Sequence, residues 1–267
     1  MPATHFERFD YDPAMKPKPL EWFINNLWLG PGKITATFAP EKAGKSRIAC
    51  WRIAAMYSGI ERCLGELVMP NAPKKIIYLA GEETIVDITG RLKKYLGIMG
   101  VKEPESFVLP IEWINASGMR LDSPGTHYGE RRWFEKEIIA DPEVGMVFID
   151  PLRRVHGGDE NDNTRMAPMH NAFRAWTNNY GKSLEIIHHT GKLNEEADLT
   201  RIATWSRGNS DLAGLVDQAV FLQVMREESG RRQLKMLRAG RFPPPGPLYI
   251  DDFGDDVGFF RSGEVRE

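Results

Sequence analysis

The segment Lys33-Ile34-Thr35-Ala36-Thr37-Phe38 leads into Ala39-Pro40-Glu41-Lys42-Ala43-Gly44-Lys45-Ser46, and Ser46–Tyr57 follows with Ile48, Trp51, Ile53 and Ala55 available for packing. Lys33–Phe38 is a short β-branched run of strand type after the turn residues Pro31-Gly32, and Ser46–Tyr57 has the residues of a helix. Ala39–Lys45 is therefore a loop joining a strand to a helix, and that position suits a phosphate chain. Successive backbone N–H groups and the helix N-terminus face phosphate oxygens, and Gly44 lets the backbone come close. Lys45 reaches the β- and γ-phosphates, while the Ser46 hydroxyl joins a Mg²⁺ shell. We assign Ala39, Pro40, Glu41, Lys42, Ala43, Gly44, Lys45, Ser46 and Arg47 to nucleotide binding, with ATP and Mg²⁺ as the expected ligands. Ala39 stands where the motif has its first glycine. Were its φ positive, alanine would cost on the order of 1–2 kcal/mol there.

Working outward, three more apolar runs follow: Ile76–Ala80, Met146–Ile149 and Leu184–Ile187. Segments of helical length lie between them, at Ile85–Leu96, Glu130–Ile139 and Pro168–Tyr180. Short apolar strands alternating with helices predict an α/β fold, a mainly parallel sheet sandwiched by helices. The tail differs. Ala219–Val224, Gln233–Leu237 and Leu248–Asp251 read as strands with short connections that extend the sheet antiparallel. Residues 1–30 form an N-terminal arm whose aromatics, in Leu20–Ile24 and Leu27–Leu29, lie on the domain or on a neighbouring subunit. Residues 31–267 form one ATPase domain.

Each strand end carries a candidate group. Asp150 ends the third run and is placed to hold, with Ser46, a magnesium-bound water. Glu82 follows the Ile76–Ala80 strand and is the expected base polarising the attacking water, with Glu83 the alternative or a helix cap. His188-His189 ends the fourth run, and His188 is assigned to the γ-phosphate.

Composition bounds the function. With 267 residues, 42% hydrophobic and 27% charged, the chain can bury one sizeable core. No apolar run approaches the roughly 20 residues of a membrane span, and Met1–Pro19 lacks an apolar stretch of signal type. Cys50 and Cys63 are too few for a disulfide framework or a zinc site, so both are expected to be buried thiols in a reducing cytoplasm. A net charge of −2 gives no global attraction to nucleic acid, so any contact comes from local basic patches.

Together, Ala39–Ser46, Ile76–Glu83, Met146–Arg154, His188-His189 and Ser206-Arg207-Gly208 resemble the RecA-like hexameric ATPases. The likeness is nearest to the plasmid RepA-type replicative helicases, with a DnaB-related core, and it begins at Trp22–Gly32 and spans roughly residues 20–240. The resemblance implies a RecA-like P-loop NTPase core, and a homo-oligomeric, hexameric ring with ATP at each interface, driving movement on single-stranded DNA. Replication or recombination proteins are further expected partners. Its DNA-binding loops would be Arg153–Met169 and Thr190–Ser206, which assigns Arg153, Arg154, Lys192, Arg201 and Arg207 to DNA, with Trp205 as a stacking platform. Asp159, Glu160, Asp162, Glu195, Glu196 and Asp198 in the same loops leave a plain solvated surface as the alternative. DnaB-type rings insert a Lys-x-Arg pair into the neighbour's ATP site. Here Lys235, Arg238 and Arg241 precede Phe242–Gly246, and Arg238 is assigned as that finger in trans. A DNA helicase without the extra N-terminal domain of many replicative helicases is expected. The alternatives are a recombinase-like or accessory DNA-dependent ATPase without unwinding, and an ATP-binding loader or regulator.

Overall fold

The computed structural model describes residues 19–122, 128–159, 162–190, 210–228, 230–240 and 246–263. Its strands are β1 (Trp22–Ile24), β2 (Trp28–Leu29), β3 (Ile34–Ala39), β4 (Arg62–Cys63), β5 (Glu66–Leu67), β6 (Lys75–Ala80) and β7 (Ile111–Asn115). They continue with β8 (Val144–Asp150), β9 (Ser183–His189), β10 (Gln218–Glu228), β11 (Arg231–Gly240), β12 (Leu248–Asp252) and β13 (Phe259–Arg261). The α-helices are α1 (Lys45–Ser58), α2 (Ile85–Ile98), α3 (Tyr128–Phe134), α4 (Asn163–Tyr180) and α5 (Ser210–Leu215).

Nine strands form one sheet in the order β13-β12-β11-β10-β3-β9-β8-β6-β7. The strands from β7 across to β10 run parallel, and β11, β12 and β13 are antiparallel. The first tail strand thus corrects the expectation. β10 joins β3 in parallel, with Phe221 opposite Phe38, and only the strands beyond it reverse. β7, with its alternating Ile111, Glu112 and Trp113, has no apolar run to announce it, yet it pairs along β6 at the sheet edge.

Helices cover both faces, as buried-on-both-sides parallel strands require. α1 and α2 pack on one face through Ile48, Trp51, Leu92 and Tyr95. α4 packs on the other, with Phe173 and Trp176 against Ile34, Ile149 and Ile186. The segment expected as one helix, Glu130–Ile139, is α3 continued by a π-helical turn, Glu135–Ile139. α4 starts earlier than expected because the Asp162 carboxylate accepts from the Thr164 and Arg165 N–H groups.

The β1–β2 hairpin answers the question of the N-terminal aromatics. Phe23, Ile24, Leu27 and Trp28 are buried in this chain's own core, with Trp28 edge-on to Phe148 at 6.2 Å. One charge pair sits inside the same layer. Arg52 of α1 meets Glu185 of β9 at 2.7 Å, with side chains 1% and 0% exposed, and Thr37 of β3 donates to the same carboxylate at 2.7 Å. Cys50 and Cys63 are both buried. Among the described residues no helix is long and apolar enough to cross a membrane.

Candidate active site

β3, β6, β8 and β9 end side by side, so the residues just past them face one cleft of about 230 Å³. The loop after β3 forms its floor. Gly44 is the N-cap of α1 at φ 88° and ψ 22°, a left-handed conformation that costs glycine little. Lys42 is the other left-handed residue of the loop, at φ 61°. Ala39 ends β3 and is not among the residues with positive φ, so the missing glycine carries no such strain.

Lys45 is 5% exposed, and its Nζ donates to Ala39 O at 3.0 Å and Pro40 O at 2.8 Å. Burial lowers its pKa, and Asp150, Glu82 and Glu41 oppose that shift. The ammonium is thereby held inside the loop that would curl around a phosphate. Asp150, at the end of β8, accepts from Tyr78 Oη at 2.7 Å. Burial raises its carboxyl to about 6, against the hydrogen bonds of Tyr78 and Ser46, and Glu83 and Glu82 add to the rise. A hydroxyl and a carboxylate in contact, beside two more acids, suit a hard divalent cation. Among the described residues no group of three metal-ligating side chains exists. A cation here would take one or two protein oxygens and fill its shell from water and phosphate, the habit of Mg²⁺. The donor set therefore fits the expected metal.

Glu82 lies between Arg154, whose Nη2 is 3.5 Å from Oε1, and the His189 ring, whose Nε2 is 3.7 Å from Oε2. Glu83 does not cap α2, because Thr84 does, accepting from the Asp87 N–H. It pairs instead with Arg91 at 2.5 Å. The two histidines part company. His188 is 3% exposed and packs edge-on against Phe38 at 5.7 Å. His189 faces the cleft, its Nδ1 3.2 Å from Lys45 Nζ. Neighbours on a strand point to opposite faces, so only one of the pair can reach the site.

Arg238 is the other assigned residue that lies away from the cleft. It is 7% exposed, and its guanidinium donates to Asn26 O at 3.0 Å and Gly246 O at 2.8 Å. Within this chain the guanidinium is thus turned inward. Another arginine of the same strand does reach the site, its own. Arg232 donates to Lys42 O at 2.8 Å and to Asp252 at 2.8 Å. From there a chain of ion pairs runs across the α1 and α2 termini. Asp252 takes Arg47 at 2.7 Å, Arg47 and Arg91 both take Asp255, and Arg91 takes Glu83. Arg232 was missed because its partners lie far away in sequence, and only the hairpin position of Gly230 hinted that it would turn back over the loop.

Of the residues assigned to DNA, Arg153 and Arg154 are exposed just beyond β8. They line a second cavity of about 300 Å³ together with Arg120 and His156. Lys192, Arg201 and Arg207, with Trp205, lie outside the described residues, as does Arg241.

A model of the AAA domain family matches residues 2–195. Among solved structures, the chain is similar to the RadB recombinase, with TM-score 0.56 and 14% identity over 86% of this chain and 91% of that one. It is also similar to the ATPase domain of G40P, with TM-score 0.57 and 12% identity over 85% of this chain and 84% of that one. At such identity the likeness shows the fold alone, and the fold is that of RecA-like ATPases.

Proposed function

The chain belongs to the AAA domain family, and from that premise we propose that it hydrolyses Mg-ATP to drive movement on single-stranded DNA, as a minimal ring-forming replicative helicase. The observation that carries this reading is the convergence of Lys45, the Ser46–Asp150 pair and Glu82 in one cleft. In it Lys45 exchanges its loop carbonyls for the β- and γ-phosphate oxygens and neutralises charge on the transferring group. Glu82 orients the attacking water and accepts its proton. His189 bridges Lys45 and Glu82 and is placed to sense the γ-phosphate. Ser46 and Asp150 would hold magnesium, which when bound would supply positive charge to the phosphates. Arg232 holds the loop through Lys42 O. A neighbour in the ring would add an arginine, and with Arg238 turned inward the role passes to Arg207 or Arg241. Exposed Arg153 and Arg154, beyond the carboxyl edge of the sheet, support contact with a DNA backbone.

A recombinase-like ATPase is the alternative, since the same fold is found in RadB, a protein described as a recombinase. One experiment separates the readings. ATPase rate is measured with and without single-stranded DNA, alongside displacement of a labelled strand from a forked duplex. Stimulation with displacement supports a helicase; stimulation with pairing or annealing and no displacement favours the alternative. Lys45→Ala is the control, and turnover at the normal rate by that variant would remove the basis of both.

A further inference from the structure

Arg154 belongs to two places at once. Its Nη2 is paired with Glu82, and its side chain also lines the 300 Å³ cavity bounded by Gly118, Arg120, Arg153 and His156. The fold is built around this position. A Cβ on Gly81 would overlap the Cβ and Cγ of Arg154, so glycine is what lets the arginine lie across the end of β6. The Gly81 N–H meanwhile donates to Asp150 O at 2.8 Å, fixing that strand end to β8.

The cavity is cationic. Arg120, Arg153 and Arg154 contribute three guanidinium groups to a space lined mainly by polar atoms. Arg120 is anchored, its Nη1 donating to Met119 O at 3.2 Å and its backbone N–H to Glu130 at 2.8 Å. Asp122 is the acid against this cup, and its Oδ2 accepts from Gly157 and Gly158 N–H at 2.9 and 3.1 Å. Those N–H groups are therefore taken, and attraction for an anion comes from the arginines. A phosphate group is the anion their forked geometry fits.

The Arg154–Glu82 pair is weak by construction. At 3.5 Å, with side chains 52% and 43% exposed, it falls among ion pairs that water screens well. A bidentate arginine–phosphate contact is stronger. With Oε1 on Arg154 and Oε2 towards His189, both carboxylate oxygens of Glu82 already have a partner. We propose that the Arg120–Arg153–Arg154 cup binds a phosphodiester of single-stranded nucleic acid, and that Arg154, moving its charge to that phosphate, releases Glu82 to act on water. Arg154 is thus a positioning residue that holds the ATPase low until nucleic acid arrives. This inference rests on the proposed motor function and deepens it.

The test compares steady-state ATPase of the full chain and of Arg154→Ala and Arg154→Gln, each without and with saturating oligo-dT. Oligonucleotide binding is followed by fluorescence anisotropy, and folding by circular dichroism. Without DNA, both variants should turn over about twofold to fivefold faster than the parent, the range of a half-exposed ion pair, and DNA should add little more. Arg154→Lys, which keeps the charge, should restore low basal turnover. Arg120→Ala should weaken oligonucleotide binding and reduce its salt slope by about 0.7 for the lost contact. If the parent binds DNA and is stimulated while Arg154→Ala shows parental or lower basal turnover, the release mechanism is overturned and the motor function stands. If the parent neither binds DNA nor responds to it, the motor function fails and the nucleic-acid cup with it. If millimolar inorganic phosphate alone stimulates the parent but not Arg154→Ala, the ligand is free phosphate and the phosphodiester assignment is overturned.

Discussion

Arg52→Met leaves Glu185 buried without its cation. The pair is 2.7 Å apart, with side chains 1% and 0% exposed, so water contributes almost nothing. Breaking such a pair costs about 3–5 kcal/mol, since one charge is left uncompensated. That is a large part of a typical stability of about 5–15 kcal/mol. Burial already pushes the Glu185 carboxyl up, and Arg52 and Thr37 hold it back. Without Arg52 it rises further. A carboxyl raised in the folded state binds its proton more readily there than when unfolded, so its stabilising contribution is present at low pH and lost as pH rises. The variant should therefore be worst at pH 8 and recover towards pH 5, where the acid neutralises itself. The assay is urea unfolding at both pH values. At about 2–4 °C per kcal/mol for a chain of this size, the melting temperature at pH 8 should drop by about 6–20 °C. Adding Glu185→Leu removes the stranded charge and should recover most of the loss. A pH-independent deficit, or a double variant as unstable as the single one at pH 8, would refute the reasoning.

Three further outcomes concern the cleft. Glu82→Gln should bind ATP normally and lose most hydrolysis, as read by nucleotide titration and phosphate release; if Glu83→Gln behaves so and Glu82→Gln is silent, the base is Glu83. Arg232→Ala frees Lys42 O and should weaken ATP binding about tenfold, or about 1.4 kcal/mol, measured calorimetrically, and unchanged affinity would remove Arg232 from the site. His189→Ala should lower turnover with little change in stability, whereas His188→Ala should unfold the protein more easily by about 0.5–3 kcal/mol through loss of the ring against Phe38. The reverse pattern would restore His188 to the cleft.

What was legible in the chain was local. The strand, loop and helix around Ala39–Ser46 announced themselves by composition and order, and Glu82 and Asp150 followed from standing just past strands. What depended on facing was not. His188 and His189 differ only in which side of β9 they take, and the run Leu184–Ile187 gave no hint that Glu185 would be the buried partner of Arg52. Arg238 and Arg232 lie on one strand, but their surroundings come from segments far apart in sequence. Asn26 and Gly246 enclose the first, and Lys42 and Asp252 receive the second. Periodicity names the strands; it does not say which distant loop closes over which side chain.

The position of β3 also bears on how the protein is made. Ile34 pairs with Leu184 on one side, and Thr35 with Gln218 on the other. During synthesis the strand that carries the phosphate loop leaves the ribosome long before either neighbour exists. Both its edges and its apolar faces must wait through the translation of most of the chain. Such long-range pairing is slow, and unpaired apolar strands invite association with other chains. A nascent chain arrested after β8 would therefore display Ile34–Ala39 as an open edge, a target for chaperones and a hazard for aggregation until β9 and β10 arrive to enclose it.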